Sequence, residues 1–149
     1  MKYNQLVNVG ENFQYSVNLQ FDINNISKIK EYIPTKDGCE ILKFYFNSVI
    51  NSKNRATTLI GPYGKGKSHL LLVLITLLEN YSEEDKDDID NFIEKVRVVD
   101  EELYELINKV RSDKIRLMPV IINSNYDDLN QAFLLALTEA LERENFNDI

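Results

Sequence analysis

RATTLIGPYGKGKSHLLLVL, residues 55–74, changes character twice. Its opening, Arg55 to Ile60, is β-branched and apolar and reads as a buried strand. A glycine-rich turn follows. The sequence then continues as SHLLLVLITLLEN, apolar on nearly every side, the composition of a helix covered by a sheet and by its neighbours. Strand, glycine turn, buried helix is the expected order, and the purpose of the turn is the question it raises.

Gly61, Gly66, Lys67 and Ser68 match G-x-x-x-x-G-K-[ST], the pattern of a phosphate-binding loop. Glycines let successive backbone N–H groups point into one hollow without a Cβ in the way, and Gly64 adds a further flexible point. The loop runs into a helix N-terminus, whose unpaired N–H groups and positive dipole end attract phosphate. Lys67 is expected to reach the β- and γ-phosphates as a point charge, and the Ser68 hydroxyl to be a ligand of the nucleotide's Mg²⁺. The nucleotide-binding stretch is therefore Gly61, Pro62, Tyr63, Gly64, Lys65, Gly66, Lys67, Ser68 and His69. Within it Tyr63 and Lys65 are variable positions that touch phosphate or base or stand in solvent, with solvent the expectation for Lys65. For His69, packing or a hydrogen bond behind the loop is expected over catalysis, since no cysteine or serine nucleophile is placed to use it.

The remaining pattern is mostly helical. FQYSVNLQF, residues 13–21, alternates apolar and polar and reads as a half-buried strand. Ile26, Ile29, Tyr32 and Ile33 have helical spacing that stops at Pro34. A second helix is expected over 38–52, with Thr35 capping it and Ile41, Leu42, Tyr45, Phe46, Val49 and Ile50 on one face. Ile89, Phe92, Ile93 and Val96 predict another helix, and Leu103, Leu106, Ile107 and Val110 one more, with Asp100 able to cap it. IRLMPVII, 115–122, reads as a second buried strand whose pairing starts after Pro119. Asp127 or Asp128 then caps a last helix with the stripe Leu129, Phe133, Ala136, Leu137, Ala140 and Leu141.

Hydrolysis asks for an acid on a strand tip to hold the Mg²⁺ shell, commonly with a glutamate and an arginine. VRVVDEE, 96–102, offers Asp100 and Glu101, but Val96 already belongs to a helical stripe and Asp100 reads better as a cap. Asn123 is open to two readings, a sensor of the γ-phosphate or a turn residue of NSNYDD, with the turn preferred.

Composition limits the partners. With 149 residues and a net charge of −7, the chain fits one soluble domain or part of a larger protein and offers no general electrostatic match to nucleic acid. No stretch is long and apolar enough for a membrane span, and MKYNQLVNVGEN lacks the apolar heart of a signal peptide, so a cytoplasmic setting is expected. The single cysteine, Cys39, has no disulfide partner in the chain and reads as an inert packing residue. The acidic run SEEDKDDID, 82–90, reads as a solvated helix entrance or loop.

GPYGKGKSHLLLVL together with LMPVIINSNYDDLNQAFLLALTEAL resembles the N-terminal part of large bacterial P-loop ATPases related to the AAA+ and STAND groups, including those of phage-defence loci such as the BREX systems. The resemblance implies an α/β fold: a partial, truncated P-loop NTPase core of three layers, α/β/α, preceded by an N-terminal strand and helices. On that reading residues 1–54 are the lead-in and 55–149 the first part of the NTPase domain. It implies ATP and Mg²⁺ as cofactors, with the acidic strand beyond Ile149 and little turnover by this piece alone. The implied partners are the remainder of the parent protein, further copies of it or defence-complex proteins, with neither nucleic acid nor membrane for this segment. Its rivals are a nucleotide-regulated interaction module that does not hydrolyse and, less favoured, a small-molecule kinase.

Overall fold

The computed structural model describes residues 17–23, 25–51, 56–79, 84–122 and 127–144. Within them the chain forms α1 (Leu19–Asp22), α2 (Ile26–Glu31), α3 (Lys36–Asn51), α4 (Lys67–Leu78), α5 (Lys86–Val99), α6 (Glu101–Ser112) and α7 (Leu129–Arg143). Among the described residues there is no strand and no sheet, and the three-layer α/β/α expectation is overturned.

None of the three expected strands is found among the described residues. Residues 1–16 lie outside the described part, so most of FQYSVNLQF does too. Its end, Leu19–Asp22, is a helical turn: Asn18 Oδ1 accepts from Gln20 N, and Asn18 N donates to Asp22 Oδ2 at 2.7 Å. This local side-chain chemistry competes directly with an extended ladder. Residues 56–60 and 115–122 are free of helix and turn, but have no ladder partner among the described residues. Ile60 is 87% exposed. The backbone around 117 is held instead by α4, the Leu117 N–H donating to the Leu78 carbonyl at 2.9 Å.

The helical expectations fare better. α2 stops before Pro34, and α3 opens with Thr35 Oγ1 accepting from Gly38 N. α4 is buried on several sides, as its composition demands, but its neighbours are α1, α2 and α3 and not a sheet. Leu72, Val73 and Leu77 of α4 join Leu42 and Phe46 of α3, Ile89, Phe92 and Val96 of α5, and Leu103, Ile107 and Val110 of α6 in one core. Each such side chain contributes about 1.5–3 kcal/mol by leaving water, so the core fixes α4, and with it the loop ahead of α4. α7 keeps part of its expected stripe, Ala136 and Ala140, and loses part. Its buried residues are Ala132, Ala136 and Ala140, while Leu129 and Phe133 are exposed. Arg143 ties its far end down, pairing with Glu79 at 3.1 Å and donating to the Pro119 carbonyl at 2.7 Å. Among the described residues no helix is long and apolar enough to cross a membrane.

Candidate phosphate-binding site

The loop sits on an exposed edge of this helical core, with residues 61–66 all open to solvent. Gly64 and Gly66 have φ of +76° and +74°, the left-handed region that side-chain-bearing residues enter only at a cost. Together they turn the backbone about Lys65 and deliver it to the first turn of α4. Gly66 is the N-cap of α4, and no side chain accepts a hydrogen bond there. A helix start leaves its first N–H groups without intrahelical partners, so α4 opens on solvent with donors and a partial positive charge.

Lys67 stands at the first position of α4 and folds back across the loop. Its ammonium donates to the carbonyls of Gly61 and Pro62, each at 2.7 Å. Two of three ammonium donors are thereby used, and the charge is held over the mouth of the turn. A Cβ at Gly61 would lie 3.6 Å from Lys67 Cδ, an ordinary contact, so the described neighbours leave room for a side chain there. Ser68 is exposed in the first turn of α4. Its hydroxyl is a hard oxygen donor of the kind Mg²⁺ accepts beside water and phosphate oxygens. Among the described residues no three His, Cys, Asp or Glu side chains are grouped to hold a metal.

His69 lies behind the loop. Its Nε2 is 2.6 Å from the Lys28 carbonyl, which can only accept, so Nε2 carries the proton. The imidazole also meets the Tyr32 ring in an edge-on contact, centroids 5.0 Å apart. Tyr63 is fully exposed and Lys65 exposed.

Beside the loop opens a cleft of about 420 Å³, bounded on one side by Lys65 and Gly66 and on the other by the α2–α3 connection and the start of α3. Tyr32, Ile33, Ile41 and Leu70 supply apolar wall, and Asp37 and Lys65 are charged groups at it. Burial pushes the Tyr32 hydroxyl above its usual pKa, so it stays protonated at neutral pH. Sequence reasoning missed this cleft. Its wall comes from residues some thirty positions upstream of the loop, and only the packing of α2 and α3 on α4 brings them there.

Asp100, the alternative acid, is accounted for. Its Oδ1 accepts from Leu103 N at 2.9 Å and its Oδ2 pairs with Lys43 at 3.0 Å, so both carboxylate oxygens are engaged. Burial raises the carboxyl, but the Leu103 N–H and Lys43 outweigh it and hold it below its usual value. Asn123 lies outside the described residues. Cys39 is buried, and burial pushes its thiol up to about 11, which keeps it unreactive. No protein-family model, no curated protein and no solved structure matches the chain.

Proposed function

We propose that residues Gly61–Ser68 bind the phosphates of a nucleoside triphosphate, ATP with Mg²⁺, and that the adjoining cleft takes the nucleoside. The observation that carries this reading is the start of α4: an uncapped helix N-terminus behind two left-handed glycines, with the Lys67 ammonium held over it. Such a start offers an anion the unpaired N–H donors of a helix N-terminus with a lysine ammonium in the same loop. The cleft is of the size that nucleosides occupy, and its apolar wall with a few charged groups suits a planar base and its sugar. With the sequence resemblance, the chain is read as the ATP-binding module of a larger cytoplasmic ATPase engaged in phage defence or DNA transactions.

A second reading, binding without hydrolysis, has an observation in its favour. Asp100, one of the two acids that VRVVDEE offers, is engaged as the cap of α6 and by Lys43. On that reading bound nucleotide controls the docking of another protein.

Titration calorimetry with Mg²⁺–ATP tests the first proposal. Saturable binding is expected, weakened about tenfold or more in Lys67→Ala, because a charge-assisted contact is worth ~1.5–3 kcal/mol. Equal affinity in both proteins contradicts it. Phosphate release measured on the same samples separates the two readings: turnover supports the ATPase, binding without turnover the regulatory module.

A further inference from the structure

Gly38 is buried in the first turn of α3. Its φ is not positive, so conformational freedom does not explain the residue. Space does. A Cβ at this position would stand 2.6 Å from the Tyr32 hydroxyl oxygen and 3.2 Å from Thr35 Oγ1. The first distance is shorter than any tolerable contact, so one of the two groups would have to move.

Tyr32 has little freedom to do so. Its ring meets His69 edge-on at 5.0 Å and Phe92 at 6.1 Å, and Phe92 is fully buried in the core. His69 is itself held by its hydrogen bond to Lys28. The hydroxyl end therefore lies in the notch that Gly38 leaves, and the ring forms one wall of the cleft beside Lys65 and Gly66. A methyl at position 38 would force the Tyr32 hydroxyl or α3 to shift, and Tyr32 lines the cleft.

We propose that Gly38 is a positioning residue for nucleoside recognition: by admitting the Tyr32 hydroxyl it holds that ring back and keeps the cleft open for a planar nucleobase. The inference rests on the phosphate-binding reading of Gly61–Ser68, and it adds which groups recognise the part of the ligand beyond the phosphates. Inorganic tripolyphosphate carries the loop's ligand without the base, so comparing it with ATP separates the two claims.

The experiment measures both ligands, with Mg²⁺, by calorimetry on the full chain and on Gly38→Ala, Tyr32→Phe and the double variant. Gly38→Ala is expected to weaken ATP about tenfold relative to tripolyphosphate, the scale of a lost base contact. In the Tyr32→Phe background, where no hydroxyl meets the new methyl, the same change should cost less than about twofold. A merely structural role for Gly38 would lower both ligands together and would not be relieved by removing one oxygen. An unchanged ratio of ATP to tripolyphosphate affinity in Gly38→Ala, or an equal loss in both backgrounds, overturns the inference. Tripolyphosphate bound by the parent chain while ATP is bound no better than it also overturns the inference and leaves the loop reading standing. Binding of neither ligand defeats the loop reading and this inference with it.

Discussion

Two helices of equal length begin in opposite ways. α6 starts at Asp100, whose carboxylate accepts from the Leu103 N–H and lies beside Lys43 in the groove between α3 and α6. α4 starts at Gly66, in left-handed conformation, with no side chain at its exposed end. The same backbone donors arise at both starts, because every helix leaves its first N–H groups unpaired. At α6 the chain supplies the anion itself, and at α4 no side chain caps the start and the first residue is a cation, Lys67. The α6 arrangement is that of a structural joint, whereas the α4 start is the one we propose as a binding site.

The comparison breaks most readily at Gly66. Gly66→Val places a β-branched residue at φ +74°, which costs about 1–2 kcal/mol and displaces the first N–H groups of α4. ATP affinity is expected to fall by about tenfold or more, with helical circular dichroism unchanged. Full affinity in this variant would show that the left-handed turn is not what binds.

At α6 the effect should be smaller and of another kind. Asp100→Ala removes a cap worth about 1 kcal/mol, a loss read in the denaturation midpoint, while ATP affinity stays as it was. Lys43 keeps Glu40 and Glu102 as partners, so no unpaired charge is added. A loss of ATP binding in this variant, without loss of fold, would return Asp100 to the nucleotide site.

The pH dependence sharpens the same point with a smaller signal. The folded Asp100 carboxyl titrates below its usual 3.8. Its contribution is therefore present above that value and is lost as the pH falls through the folded one. The stability gap between the parent chain and Asp100→Asn is expected to narrow as acid is added in that window. A gap that widens there would contradict the cap geometry.

Both starts were readable from local residues. Asp100 ahead of Leu103, Ile107 and Val110 is a local signal, a capping side chain before a helical stripe, and α6 follows it. The glycines of the loop are equally local, and Gly64 and Gly66 do take the conformations that only glycine adopts freely. What failed depends on distant partners. An apolar, β-branched run such as 56–60 favours extended backbone, but a strand also needs a neighbour to pair with, and none is found among the described residues. α7 shows the same limit. Its periodicity was plain, yet which residues it buries is decided by what lies against it, and there the alanines face inward. The notch at Gly38 is the extreme case, because the identity of the residue makes sense only once Tyr32 is seen over it.

The uncapped start of α4 is the decisive feature of the molecule. The direct measurement is a titration of isotope-labelled protein with Mg²⁺ and tripolyphosphate, followed through the backbone amide resonances. Saturable shifts are expected at Gly64, Lys65, Gly66, Lys67 and Ser68, with Glu101, Glu102 and Leu103 at the capped start of α6 unmoved. Shifts confined to other parts of the surface, or equal at the two helix starts, would contradict the proposed binding there.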